Sequence, residues 1–216
     1  MQVSDLQSFS DYVRPLIEFM EYSVPSCKSI KQEEKVILVG HSLGGLVISK
    51  AIEMFPEKIS VAVFLTGLMP NMLQEIKFND IFKEGSRGDS IYTYDEGEKE
   101  SSTIFVFGPG YISSNIYDLC SPEDQALATM LVRPIRVYDT EDVSKQTTMS
   151  KQKCESVKRV YIIAELDKTL TKDFQCWMIE KDPVDEVKEI TGSDHMVMMC
   201  KPRELFACLQ EIAGET

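Results

Sequence analysis

A buried strand that runs directly into a glycine-rich turn and a helix constrains the fold of this chain most. Residues 35–40 (KVILVG) form an apolar, β-branched run typical of a parallel strand covered on both faces. Residues 44–52 (GGLVISKAI) continue as a helix, although glycines weaken its start. A second apolar run follows at residues 59–65 (ISVAVFL). Buried strands that alternate with helices predict an α/β fold with a mostly parallel sheet and helices on both faces.

Further segments continue this alternation towards both ends of the chain. Each has either the spacing of an amphipathic helix or the apolar run of a strand. These predicted elements are a helix over residues 8–22, a strand over 157–164, a helix over 172–180, a strand over 187–190 and a helix over 202–212. A polar loop, residues 23–34, separates the opening helix from the first strand.

One long segment breaks the alternation. Residues 70–142 have weak periodicity, many glycines and charges, and a short helical signature at residues 122–132. We expect this segment to be a cap inserted over the sheet. A chain of 216 residues can bury one substantial core. The predicted organisation is therefore a single domain, residues 1–216, whose core comprises residues 1–69 and 143–216.

The charge of the chain limits its partners. It carries 23 basic and 35 acidic residues, a formal net charge of -12, which would repel nucleic acid and anionic membranes. No segment reaches the roughly 18 consecutive apolar residues of a membrane span, and the first residues do not resemble a secretory signal. We therefore expect a cytoplasmic protein without nucleic-acid or membrane partners. The sequence does not reveal the oligomeric state, and a homodimer is left open.

The six cysteines are scattered along the chain. They form no Cys-x-x-Cys pair and have no neighbouring histidine at a spacing suitable for zinc. We expect them to be reduced and mostly buried, with no metal site. They are Cys27, Cys120, Cys154, Cys176, Cys200 and Cys208.

The turn after the first strand carries a candidate nucleophile. Residues 40–44 read Gly-His-Ser-Leu-Gly, and a Gly-x-Ser-x-Gly between a strand and a helix is typical of a nucleophile elbow, in which a strained turn exposes the serine hydroxyl. An ordinary glycine turn between a strand and a helix is the alternative. The position of the motif favours Ser42 as the nucleophile.

A serine nucleophile needs a base, which is usually a histidine. The chain has two histidines. His41 lies inside the elbow and is expected to point away from the serine. His195, in a loop after a late strand, is therefore the candidate base. The chain order serine, acid, histidine is the one found in hydrolases with a nucleophile elbow.

The acid that orients the histidine is expected after the penultimate strand. Glu165, Asp167 and Asp173 all lie near the end of the strand predicted over residues 157–164. We select Asp167, because Glu165 abuts the strand and Asp173 belongs to the next predicted helix. Asp194 ranks lower, since neighbours in sequence seldom orient each other's rings.

Acyl transfer also requires an oxyanion hole made of two amide donors. The amide after the nucleophile, that of Leu43, can supply the first. The second is expected from a loop after an earlier strand, and no such strand precedes the opening helix in this sequence. A missing donor would cost roughly a hundred- to a thousandfold in rate.

Longer segments of the chain resemble the plant methylesterase and hydroxynitrile lyase family of the α/β-hydrolase superfamily. The resemblance is carried by residues 36–70, 117–128, 131–134, 156–162 and 192–196. It implies an α/β-hydrolase fold and a triad of Ser42, Asp167 and His195. The family normally begins with a strand, a helix and a second strand. The present sequence lacks this unit, so the resemblance implies that the strand at residues 36–39 is left at a bare edge of the sheet.

The resemblance also implies an activity. Family lyases carry a lysine directly after the histidine, whereas this chain has Met196, an apolar residue that suits an ester pocket. The implied function is a carboxylesterase for small-molecule methyl esters of plant hormones such as methyl salicylate, methyl jasmonate or methyl indole-3-acetate, without cofactors. The alternatives are a catalytically inactive member that at most binds a small aromatic acid, and a hydroxynitrile lyase.

Overall fold

The computed structural model describes residues 3–24, 35–81, 87–93 and 103–214. Most of the predicted polar loop and Cys27 lie outside these residues. The strands are β1 (Val36–His41), β2 (Ile59–Leu65), β3 (Ile91–Thr93), β4 (Ile104–Val106), β5 (Ile135–Arg136), β6 (Lys158–Ala164) and β7 (Glu186–Ile190).

Ten α-helices accompany the strands in the described residues. They are α1 (Phe9–Tyr22), α2 (Gly44–Met54), α3 (Phe78–Ile81), α4 (Pro109–Tyr111), α5 (Pro122–Leu131), α6 (Thr140–Thr147), α7 (Lys151–Cys154), α8 (Lys172–Lys181), α9 (Val197–Cys200) and α10 (Pro202–Gly214). Five of these helices, α1, α2, α5, α8 and α10, were predicted from the sequence, and each begins within one residue of its predicted start.

The main sheet contains four parallel strands in the order β1-β2-β6-β7. Strands β2 and β6 are neighbours although more than 90 residues separate them along the chain, and Val63 pairs with Val160. The prediction of a mostly parallel sheet with helices is confirmed. Strand β1 lies at an edge among the described strands, and Val39 on it is 44% exposed.

Both faces of this sheet are covered by apolar clusters. Along β2, Ala62 and Phe64 belong to one cluster, whereas Val61, Val63 and Leu65 belong to the other. The first cluster contains side chains from α1 and α2, and the second contains side chains from α9 and α10. Because successive side chains of a strand point to opposite faces, a strand buried on both faces has the continuous apolar run that the sequence shows.

A buried lysine connects the opening helix to the sheet. Lys58, just before β2, is only 2% exposed, and its Nζ donates to the carbonyl oxygens of Met20 and Val24. These carbonyls lie at or just beyond the end of α1, where backbone acceptors have no partner within the helix. Charge-assisted bonds to such groups are among the stronger hydrogen bonds in proteins. The sequence pattern did not predict this contact.

The segment predicted as a cap contains a second sheet. Strands β3, β4 and β5 pair antiparallel in that order, and Phe105 in β4 is fully buried. Within this segment the sequence pattern predicted only the helix at residues 122–132, which is confirmed as α5. The two- and three-residue strands were missed because they are too short to show a period. Helix α6 crosses position 142. The proposed boundaries of core and cap stay a prediction.

None of the helices in the described residues is both long enough and apolar enough to cross a bilayer.

Candidate active site

The turn between β1 and α2 holds Ser42 in a strained conformation. Its φ angle is +53°, in the left-handed region that few residues other than glycine adopt. Close backbone packing requires the flanking glycines: a Cβ on Gly40 would lie 2.5 Å from the Gly44 carbonyl oxygen, and one on Gly45 would lie 2.3 Å from that of Leu68. The Leu68 amide donates to the Ser42 carbonyl at 2.9 Å. These constraints are those of a nucleophile elbow.

His195 and Asp167 form a hydrogen-bonded pair. Asp167 Oδ2 lies 2.7 Å from His195 Nδ1, and both residues are almost fully buried. The same carboxylate accepts hydrogen bonds from the Thr66 hydroxyl and from the amides of Thr169 and Leu170. With Nδ1 bound to the carboxylate, Nε2 of His195 is the nitrogen that can accept a proton.

The surroundings of Asp167 favour its charged form. Burial raises the pKa of this carboxyl, but the hydrogen bond and charge of His195 and the bond from Thr66 outweigh that effect, so the pKa falls below its ordinary value. An ionised carboxylate at this position holds the imidazole ring in one orientation and stabilises its protonated form.

Ser42 and His195 line the same pocket, whose volume is about 440 Å³. No hydrogen bond joins the Ser42 hydroxyl to His195 within the described residues. Such catalytic bonds are often long before substrate binds and tighten in the complex. The amide of Leu43, expected to be one oxyanion donor, lies at the start of α2, since Leu43 is the residue directly before this helix.

His41 was predicted to point away from Ser42, but the structure places both residues at the same pocket. Its side chain lines the same pocket, and its ring lies 4.8 Å from that of His195. Its Nε2 lies 2.8 Å from the backbone oxygen of His195. Burial, and then the charge of His195, lower the pKa of His41 to about 4. His41 is therefore neutral near pH 7, and its Nε2–H donates to the loop that carries His195.

Among the described residues, none of the other three candidate acids has a hydrogen bond to His195. Glu165 accepts a hydrogen bond from the Gly192 amide, and Asp173 lies in the first turn of α8. Asp194 is fully buried and accepts from the amides of Leu119 and Met196. Of the four carboxylates considered, Asp167 is the one that contacts His195.

The pocket lining is largely apolar, and most of it comes from residues 107–132. Met196, which was predicted to contact the substrate, also lines this pocket. Asp124 and Tyr117 add polar groups. The other apolar residues of the lining are Phe107, Ile112, Ile116, Leu127, Ala128, Leu131, Val132 and Met199.

Beside His195, the fold brings together two cysteines and an aspartate, a cluster that the sequence spacing did not predict. The Sγ atoms of Cys120 and Cys200 and a carboxylate oxygen of Asp194 all lie within 4.8 Å of one another. Burial, together with the Asp194 carboxylate, raises the pKa of both thiols, that of Cys200 to about 12. The five cysteines within the described residues are free thiols, but Cys120 is the one that is buried and the other four are partly exposed, so the prediction that most are buried is wrong.

Comparisons with known proteins agree with this fold. The profile of the alpha/beta hydrolase family matches residues 2–207. Methyl jasmonate esterase 1 of Vitis vinifera is 43% identical, and salicylic acid-binding protein 2 of Nicotiana tabacum is 41% identical, each over 98% of this chain and 80% of the relative. A solved variant of tomato methylketone synthase I, in complex with beta-ketoheptanoate, is 46% identical with a TM-score of 0.88, over 99% of this chain and 81% of that one.

The strained serine, the buried histidine–carboxylate pair and these matches define the class of protein. The chain belongs to the alpha/beta hydrolase family. Within that family it belongs with the plant methylesterases, and by enzyme class it is a serine carboxylic ester hydrolase.

Proposed function

We propose that this protein hydrolyses small methyl esters, with Ser42, His195 and Asp167 as its catalytic triad. The observation that carries the proposal is the 2.7 Å contact between Asp167 and His195 beside an apolar pocket that Ser42 also lines. The arrangement supplies a nucleophile, a base and an orienting carboxylate to one cavity.

The proposed reaction has two halves. Ser42 Oγ attacks the ester carbonyl while Nε2 of His195 takes its proton, and Asp167 stabilises the imidazolium through Nδ1. The Leu43 amide donates to the oxyanion, and methanol leaves with the proton from His195. Water, activated by the same imidazole, then releases the free acid from the acyl-enzyme.

The size and the lining of the pocket favour a substrate with a small apolar acyl group. Its volume of about 440 Å³ and its apolar lining suit an aromatic or cyclopentanone acid more than a long polar chain. The names of the two curated relatives mention methyl jasmonate and salicylic acid. We propose methyl jasmonate, methyl salicylate and methyl indole-3-acetate as substrates. Met196, rather than a lysine, favours this reaction over cyanohydrin cleavage.

The test is release of methanol and free acid from these three esters, with p-nitrophenyl acetate as a general substrate. Turnover should fall to background in Ser42→Ala and persist in the matched control Ser156→Ala, whose hydroxyl lies on an exposed loop. No cyanide should be released from mandelonitrile. Folded protein without Ser42-dependent turnover would overturn the proposal and favour an inactive, acid-binding protein.

A second reaction, decarboxylation of a β-keto acid, can be tested with the same two proteins, natural and Ser42→Ala. It is suggested by the similar methylketone synthase I, which was solved with beta-ketoheptanoate. A β-keto acid forms a methylketone by losing carbon dioxide, which leaves an enolate that takes up a proton. This step needs no serine nucleophile, whereas the chain keeps Ser42 in a strained elbow. If the protein is a decarboxylase, Ser42→Ala will retain methylketone formation. If it is an esterase, the same substitution will abolish product release from methyl esters.

A further inference from the structure

A cluster of two thiols and a carboxylate lies between the inserted segment and the loop that carries His195. Cys120 stands two residues before α5, Cys200 ends the short helix α9, and Asp194 directly precedes His195. Cys120 and Asp194 are buried, and Cys200 is partly exposed. The esterase mechanism uses none of these three side chains.

The spacing of the three groups suits tetrahedral coordination. With metal–sulfur bonds of about 2.3 Å and metal–oxygen bonds of about 2.1 Å, ligand atoms lie roughly 3.6–3.8 Å apart. Cys120 Sγ lies 3.4 Å from Asp194 Oδ2, and all three ligand atoms lie within 4.8 Å of one another. Side-chain adjustments of about 1 Å would therefore give all three groups bonding distance to one ion.

Hydrogen bonds orient the Asp194 carboxylate, as they usually orient a carboxylate that binds a metal ion. Asp194 accepts hydrogen bonds from the amides of Leu119 and Met196, at 2.8 and 3.0 Å. Such outer contacts fix the orientation of a ligating carboxylate and leave a lone pair for the ion. The partly exposed Cys200 leaves a route for an ion and for a water as the fourth ligand.

We propose that Cys120, Asp194 and Cys200 bind one thiophilic divalent cation, such as Zn²⁺. Binding exchanges protons for the ion: each thiol loses its proton, two protons pass to solvent, and two thiolates and one carboxylate then surround the cation. The occupied site would connect the start of the inserted segment to the loop of the base. No oxidant is required, in contrast to a disulfide between the two thiols.

The test measures ion binding rather than turnover. A variant in which Cys27, Cys154, Cys176 and Cys208 are serine keeps Cys120 and Cys200 as its only cysteines. After loading with Zn²⁺ and gel filtration it should retain one ion per chain, and Cd²⁺ should produce sulfur-to-metal absorption in the ultraviolet. Adding Cys120→Ser or Cys200→Ser should weaken binding at least about 100-fold, because the loss of a direct ligand exceeds the cost of losing an outer contact.

A second measurement keeps the proposal testable if the fourfold variant does not fold. In the otherwise natural chain, Zn²⁺ at about 100 times its Kd should raise Tm by roughly 5–10 °C, and Cys120→Ser should abolish that shift. The matched control Cys208→Ser, on α10 and outside the cluster, should retain it. An ion content and a Tm shift unaffected by Cys120→Ser and Cys200→Ser would overturn the proposal, as would folded protein that retains no ion. In either case the thiols would serve only as hydrogen-bond donors to Asp194.

Discussion

The two sides of the active-site pocket are built in different ways. On the side of the sheet, Ser42 is fixed by a strained backbone, and Asp167 is held by four hydrogen bonds. On the opposite side, α5 has no buried residue, and Leu127 and Leu131 are 52% and 65% exposed. Ser42 and Asp167 are thus each held by several backbone or hydrogen-bond constraints, whereas α5, on the other side of the pocket, is held by few.

This difference predicts where substitutions will act. Changes on the sheet side should alter the rate of the chemical step or the free energy of unfolding, because each group there has several partners. Changes on α5 should alter substrate affinity with little effect on stability, because exposed side chains contribute little to the core.

The largest effect is expected from Asp167→Asn. The amide cannot stabilise an imidazolium or hold the required tautomer, so kcat should fall about 10⁴-fold while KM changes little. Steady-state kinetics with p-nitrophenyl acetate will measure both constants. Asp173→Asn, at an exposed position on α8, is the matched control and should leave kcat unchanged. Equal losses of kcat in the two variants would show that Asp167 is not a member of the triad.

His41 should make stability depend on pH. Its pKa in the folded protein is about 4, below the ordinary 6.5, so the unfolded chain binds more protons between these values. The contribution of this neutral imidazole to the free energy of unfolding is fully present above pH 6.5. It is lost as pH falls towards 4, by about 3 kcal/mol in all. Urea unfolding at several pH values should show a shallower dependence in His41→Gln. The same slope in both proteins would contradict a neutral, buried imidazole.

Neighbouring glycines provide a test of the elbow. A Cβ at position 45 would meet the Leu68 backbone at 2.3 Å, whereas one at position 44 has no atom within 4 Å. Gly45→Ala should therefore cost about 2–3 kcal/mol of unfolding free energy and reduce kcat, because Leu68 also donates to the Ser42 carbonyl. Gly44→Ala should change stability by less than about 1 kcal/mol. Denaturant unfolding of both variants will show whether they differ.

The smallest effect is expected on α5. Leu131→Ala removes apolar surface from the pocket wall and should raise KM by up to about tenfold, with kcat retained and stability within about 1 kcal/mol of the natural protein. Met130→Ala, 82% exposed and outside the pocket lining, is the matched control. A large loss of stability in Leu131→Ala would contradict the inference that α5 is less constrained than the sheet side of the pocket.

Much of the fold could be predicted because it depends on local pattern. Strand β2 was predicted at residues 59–65 and is observed there, and α5 was located in an otherwise irregular segment. Ser42 and His195 were identified from a motif and from the scarcity of histidines. Strands β3 to β5 were missed, since two or three residues are too few to reveal a period of two.

The sequence by itself determined the alternation of strands and helices, the elbow and the two candidate groups nearest the chemistry, because periodicity and turn chemistry act between neighbouring residues. The sequence also favoured Asp167 over Glu165, and the structure places Asp167 in contact with His195. Only the tertiary structure showed that His41 lies at the same pocket. It also brought Cys120 within reach of Asp194, 74 residues away. Such contacts follow from the order of strands in the sheet and the placement of loops at its edge, which no local pattern contains.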